Sequence, residues 1–267
     1  MLKFEPIIPD DLNEIRGLQP PDWTDIIPSF RFYIDSGFSN PVKVVLEGKT
    51  VGVGVSISFP YTTWLAHIIV DPEFRNHGIG SAIVDHLLAD SELQEYSSVL
   101  LIATKIGEPV YFKKGFRGVG EYVFLKRHDP WVELPLSRHI QPFSIKYMPL
   151  LTGMDLFVSG EDRSRLLSKY LNEALVFLDH GQPDGFYLPG LGEGLILADT
   201  KQAGIELMKV KHGRADKAVL PMENLTGISF LKEHGFIETL RAKRMVLGPD
   251  IPWHPERIYA RIGGNLG

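Results

Sequence analysis

Apolar residues recur along this chain at two periods, and the switch between them lays out its elements. Behind Asp10, Leu12, Ile15 and Leu18 stand near helical spacing, which predicts a short first helix with that aspartate as its cap. Part of "DIIPSFRFYIDSG" is a second helix. "PVKVVLEGKTVGVGVSIS" reads as two strands joined by a tight turn at Glu47, Gly48 and Lys49, and "TTWLAHIIV" as another strand. After Gly78, Ile79, Ala82, Ile83 and Leu87 return at three- and four-residue steps, an amphipathic helix. "SVLLIAT" is a buried strand, "GEPVYFKKGF" a short helix closed by Gly115, and "EYVFLKR" a strand.

Proline and histidine interrupt this pattern over residues 127–142, "RHDPWVELPLSRHIQP", which reads as a connection between domains. Beyond it, "SRLLSKYLNEALVFL" reads as an amphipathic helix, "GFYLPG" and "EGLILAD" as a hairpin, and "KAVLPM", "ISFLKEHGF" and "KRMVLG" as strand, helix and strand. The tail echoes the first unit: "IIVD" ending at Asp71 parallels "LILAD" ending at Asp199, and "YFKKGF" ending at Phe116 parallels "FLKEHGF" ending at Phe236. The segment between these landmarks is shorter in the second copy, which lacks a loop rich in arginine and glycine. Two copies of one fold, the second altered, are expected.

Composition narrows the chemistry. A chain of 267 residues, 44% hydrophobic, can fill two cores. A formal charge of -5 gives no polybasic footprint, which argues against nucleic acid as a partner. No apolar run approaches the roughly 18 residues of a membrane span, so no membrane association is expected. With no cysteine, disulfides, thiolate metal sites and acyl-cysteine intermediates are excluded, and a cytoplasmic setting fits. The nine histidines lack paired ligand spacing, so no metal site is expected.

The missing loop is "VDPEFRNHGIGSAIVDHLL", Val70 to Leu88. At a strand-to-helix junction several backbone N–H groups point at one spot and the helix dipole adds positive character, which makes an anion site. Gly78 and Gly80 admit a close backbone approach, Arg75 can add a charge-assisted hydrogen bond and Ser81 another. Each contribution is about 0.3 to 1 kcal/mol, so useful affinity needs several of them on a multiply charged group such as a pyrophosphate. Neither the dinucleotide fingerprint nor the Walker spacing is present.

At these residues the chain resembles the GNAT superfamily of N-acetyltransferases. Val70, Pro72, Arg75, Gly78 and Gly80 occupy the positions of its V-x-P-x-x-R/Q-x-x-G-x-G/A signature, and "YFKKGF" matches its later Y-x-x-x-G-F element. "ATKIGEPVYFKKGF" and "RMVLG" are similar to stretches of bacterial members with a second GNAT-like half. The resemblance implies an α/β (α+β) chain of two tandem GNAT-like folds, each a mixed, mostly antiparallel sheet flanked by helices. The expected boundaries are 1–140 for a catalytic N-terminal domain and 141–267 for a degenerate C-terminal one.

The resemblance also implies acetyl-CoA as donor, with its pyrophosphate on the amides of Arg75, Asn76, His77, Gly78, Ile79, Gly80 and Ser81. Pantetheine would run beside Ile68, Ile69 and Val70 in a gap where the fourth and fifth strands splay apart, with Thr104 as a further hydrogen-bonding group. Direct attack by an amine in a ternary complex then needs an acid for the departing thiolate. Tyr111 stands where the superfamily often carries a tyrosine acid. His67, three residues before Val70, is either the base or a satisfied structural histidine, and period two puts it on one face with Ile69. The acceptor, a small-molecule or peptide amine, would enter beside Trp23, Phe30 and Tyr33. Two alternatives stay open: a CoA-binding sensor or scaffold that transfers nothing, and a transferase drawing on an aminoacyl-tRNA. The sequence gives no oligomeric state.

Overall fold

The computed structural model describes residues 1–21, 23, 25–90, 97–130 and 133–267; residues 131 and 132 of the anticipated connection lie outside this set. Two compact units are present. One contains residues 1–101, 109–117 and 246–249, and the other 102–108, 118–245 and 250–267. Compact packing thus divides the chain differently from a single cut at residue 140.

The first unit is built on β1 (Lys3–Pro6), α1 (Leu12–Arg16), α2 (Ile27–Ser36), β2 (Ser39–Leu46), β3 (Lys49–Phe59), β4 (Thr62–Val70) and α3 (Ile79–Asp90), with most of β5 (Ser98–Ala103) and α4 (Glu108–Lys113). Its strands run in the order β1-β2-β3-β4-β5, antiparallel except for the parallel β4–β5 pair. Strand β3 is buried over most of its length: α3 and α1 pack on it, and α2 packs on the neighbouring β2. Val44, Val53, Val55, Ile57, Ile83, Leu87 and Leu100 form the core. Residues 246–249 close on the start of β5, where the Ser98 hydroxyl donates to the Pro249 carbonyl at 2.8 Å.

The second unit holds β6 (Arg117–Arg127), β7 (Ile140–Pro142), α5 (Met148–Ser159), α6 (Ser164–Leu167), β8 (Leu175–Asp179), β9 (Gln182–Leu188), β10 (Leu195–Ala198), α7 (Lys201–His212), β11 (Lys217–Pro221), α8 (Leu225–Glu233), β12 (Phe236–Leu247) and β13 (Ile258–Ala260). One group of strands runs β12-β6-β11, and a five-stranded sheet runs β13-β10-β9-β8-β7. Leu207, Met208, Leu220, Leu231 and Phe236 fill its core. The order β4-α3-β5-α4-β6 recurs as β10-α7-β11-α8-β12, so the sequence echo has a counterpart in the order of elements.

Several expectations need correction. The stretch 164–178 is not one helix: α6 covers only four residues, and Leu175–Asp179 is a strand paired with β9 at Leu175↔Tyr187 and Val176↔Phe186. Four successive apolar residues, Leu175 to Leu178, suit a strand buried on both faces as well as a helix, and tertiary pairing decides between them. Asp10 does not cap the first helix: Asp11 stands at its boundary without a side-chain capping bond, and its carboxylate accepts instead from the Ile8 amide at 2.9 Å, closing the 3-10 turn Pro9–Asp11. Strand β1 and helices α5 and α7 add to the pattern read from sequence.

A candidate acyl-donor site

The site grows from an irregularity in β4. Across the β3–β4 pair, Val53 faces Ile69 and Val55 faces Ala66, so His67 and Ile68 together oppose the single residue Gly54. This is a β-bulge, and His67 adopts φ 46° within it, a left-handed conformation uncommon outside glycine. The bulge breaks period two, so the expectation that His67 shares a face with Ile69 does not hold. On the other edge, β4 pairs with β5 only from Thr62↔Ser98 to Trp64↔Leu100. Beyond Trp64 the two strands part, which leaves the β5-side edge of β4 from the bulge to Val70 open to another partner.

At the end of β4 the chain turns through Pro72–Phe74 into α3. Asp71 accepts from the Glu73 amide at 3.0 Å and pairs with Lys49 at 2.9 Å; Lys49 and that amide hold its carboxyl below the usual range. Arg75 donates its Nε to the Val70 carbonyl at 3.2 Å, which anchors the guanidinium at the mouth of the gap. Asn76 and Gly78 follow at φ 64° and 79°. Gly78 has open space where a Cβ would stand, so its conformation and not crowding requires glycine. The first intrahelical donor is Ala82, bonded to Gly78 at 3.0 Å, so the amides of Ile79, Gly80 and Ser81 lack intrahelical acceptors. Exposed His77 stands in the same loop.

Close packing aims this helix end. A Cβ on Gly54 would come within 2.4 Å of Ile83 and 3.1 Å of Leu87, so a glycine in β3 lets α3 lie directly on the sheet. The alternation "VGVGV" carried that signal, because a glycine inside a strand marks a close approach.

His67 is enclosed by aromatic edges. Its ring lies 5.9 Å from Trp23 and 5.5 Å from both Phe30 and Tyr33, and its Nδ1 is 3.0 Å from the Tyr33 hydroxyl. Burial pushes its pKa down to about 4, so the imidazole is neutral at pH 7. Tyr111, in α4, packs edge-on to Phe116 at 5.9 Å, and burial pushes its phenol up to about 12. It stays protonated across the physiological range. Thr104 falls in the second unit, with its hydroxyl on the Gly107 amide at 3.4 Å, a local turn contact. The first unit therefore contains the loop, the β4 edge, His67 and Tyr111 but not Thr104.

Residues 32–118, which span the bulge, the loop and Tyr111, match the family described as an acetyltransferase (GNAT) domain. The chain is an acetyltransferase, and GNAT acetyltransferases use acetyl-CoA. Over 223 residues it is 29% identical to the "Uncharacterized N-acetyltransferase YitH" of Bacillus subtilis, covering 78% of each chain. A crystal structure from Pyrococcus horikoshii aligns with 100% of this chain and 96% of its own, with a TM-score of 0.82 and 18% identity. The GCN5-related N-acetyltransferase of Sphaerobacter thermophilus aligns over 94% of this chain and 98% of its own, with a TM-score of 0.65 and 16% identity. These two structures share the fold.

The second unit treats the equivalent junction differently. There β10 reaches α7 through Asp199 and Thr200 alone; Thr200 caps the Ala203 amide and also bonds Asp184, and Asp199 is paired with Arg257. Two carboxylates at that helix end disfavour a phosphate. β13 pairs with β10, and the following Arg261 amide bonds the Val219 carbonyl of β11 at 3.2 Å, so the chain's own segment lies between β10 and β11. Gly204 of α7 lies against the Tyr259 ring, which a Cβ would meet at 2.2 Å. Among the described residues, no helix is long and apolar enough to cross a membrane, and no group of three His, Asp or Glu side chains could hold a metal.

Proposed function

We propose that the domain transfers acetyl from acetyl-CoA to a primary amine by direct attack, with the donor held by the loop 75–81 and the β4 edge. The observation that carries this is the parting of β4 from β5 beyond Trp64, directly before a helix end with unpaired amides. Pyrophosphate is taken by the amides of Ile79, Gly80 and Ser81 with Arg75 beside them, and pantetheine lies along Ile68 to Val70. There an amide of β4 receives the carbonyl oxygen as negative charge develops on it; in comparable sites one such donor contributes about 3 kcal/mol.

Nitrogen attacks the thioester carbon, the C–N bond forms and the C–S bond breaks. The attacking nitrogen gives its proton to water, the departing thiolate takes the proton of Tyr111, and water reprotonates the phenolate. Burial raises the phenol, and the same dry surroundings raise the thiol, so the two stay nearer in proton affinity than the phenol's value alone implies. The tandem reading is also a proposal. The second copy, with its short junction and filled strand gap, is a non-catalytic relative of the first.

Replacing Tyr111 with Phe tests the assignment. The expected result is a fall in kcat of about 10²-fold or more at unchanged affinity for acetyl-CoA, followed by thiol release. Because the phenol holds its proton to about pH 12, the wild type should show no falling limb between pH 7 and 10 from this group. A variant with full turnover would remove the acid role, and a wild type that binds donor but releases no thiol with any amine would make the domain a CoA sensor.

A further inference from the structure

Helix α5 of the second unit carries its side chains the opposite way from an ordinary surface helix, which turns its apolar stripe to the core and its polar one to water. The buried side of Met148–Ser159 includes Asp155 and Ser159 beside Leu151 and Val158. The Asp155 carboxylate, 1% exposed, accepts from the Arg163 Nε at 3.1 Å, and the Ser159 hydroxyl donates to the Asp155 carbonyl at 2.7 Å. These polar groups are satisfied inside the protein.

The outward side is apolar. Pro149, Leu150, Gly153, Leu156 and Phe157 face solvent, with Leu150, Leu156 and Phe157 at 49%, 50% and 51% exposure, and Ile145, just ahead of the helix, at 69%. Half-buried Thr152 turns its hydroxyl back onto the Met148 and Pro149 carbonyls at 3.0 and 3.2 Å. Asp155 is the one charged residue of α5, and it points inward. Charge returns only at the two ends. Lys146 lies over the Tyr147 ring at 4.8 Å, and at Phe157 His254 stacks at 4.2 Å with Arg257 over the ring at 4.9 Å. An apolar centre with a polar rim is the anatomy of a protein interface.

Gly153 stands at the middle of this face, one turn from Pro149 and one from Phe157. It has open space where a Cβ would stand, so no packing within the chain requires a glycine there. Glycine weakens a helix relative to alanine, and what it offers in return is bare backbone that another element can approach closely.

We infer that this face binds a second copy of the chain, α5 against α5 across a two-fold axis at Gly153. In such a contact the residue on the axis meets its own copy, so Gly153 lies on Gly153 while Leu150, Leu156 and Phe157 of both copies surround the crossing. Charge favours this occupant. Each copy has a formal charge of -5, so two copies repel except through a face that carries none. A helix lying on a bilayer sets a basic polar side among the headgroups, whereas the other side of α5 is packed within the protein around an aspartate. Twelve residues make a helix about 18 Å long, too small a contact for the roughly 800 Å² per partner of a standard interface. The dimer is therefore reversible, with dissociation in the micromolar range.

Sedimentation velocity of the full chain from about 1 to 200 µM tests this and should show a reversible monomer–dimer equilibrium. Leu156→Glu should weaken it at least about tenfold with circular dichroism unchanged, because each dimer would then bury two unpaired carboxylates. Leu225→Glu, at a 70% exposed position of α8, should leave it as it is. Since the chain has no cysteine, Gly153→Cys adds a second readout. A disulfide needs Cα atoms about 4.4 to 6.8 Å apart, so mild oxidation should link this variant into dimers much faster than Leu225→Cys. A wild type that stays monomeric throughout would overturn the inference, as would a dimer that Leu156→Glu leaves intact or cross-linking no faster than at position 225. A chain that remains monomeric but binds vesicles of phosphatidylcholine and phosphatidylglycerol, and loses them with Leu156→Glu, would give the face to a membrane instead.

Discussion

His67 leaves the extended conformation of its neighbours for φ 46°, and β4 carries an extra residue there in compensation. A backbone of this kind persists only where its surroundings determine it, here a phenol and three aromatic edges. The sequence put Trp23, Phe30 and Tyr33 near the acceptor and His67 in β4, but a bulge of one residue has no pattern of its own, so the direction of the side chain was not legible. Burial of the neutral ring has a consequence for stability. The folded imidazole, at about 4, binds a proton less readily than the unfolded one, at 6.5, so its contribution is full above pH 6.5 and is lost as pH falls toward 4. Buried His212 in the second unit, pushed down to about 3, acts in the same direction. Urea midpoints of the wild type should fall across that window, and His67→Asn, which tolerates the left-handed backbone, should lessen the fall. An unchanged slope in the variant would show that His67 does not contribute.

Among the elements, α3 and β3 form the pair that sets the loop. The glycine of "VGVGV" at position 54 faces Ile83 and Leu87, so Gly54→Ala should cost about 1–3 kcal/mol through overpacking. Ile83→Ala in the same chain should recover part of that cost, since the two changes act on one contact. Thermal unfolding of the single and double variants checks this, and additive losses would contradict it. Apart from β1, the helices and strands of the first unit are readable because each is amphipathic or bounded by turn residues, as at Glu47 and Gly48, both left-handed. Residues 164–178 were misread because their apolar run fits two periods. Strand β1, four residues long, is too short to show a period and is fixed by pairing Lys3↔Val45 to Pro6↔Val42.

At the scale of the whole molecule, the echo between Asp71–Phe116 and Asp199–Phe236 pointed to a repeated order of elements, while the inclusion of residues 246–249 in the first unit depends on contacts distant in sequence and left no local signal. The two strand-to-helix junctions differ in a way that sets stoichiometry. One has an eight-residue loop, residues 71–78, leading into the amides of Ile79, Gly80 and Ser81 that lack intrahelical acceptors, and the other has Asp199, Thr200 and an inserted β13. Calorimetric titration of acetyl-CoA into the wild type and into an Arg75→Glu, Gly78→Asp variant tests the central claim most directly. The account predicts one site per chain, lost in a variant whose circular dichroism is unchanged; two sites per chain, or binding that survives both substitutions, would contradict it.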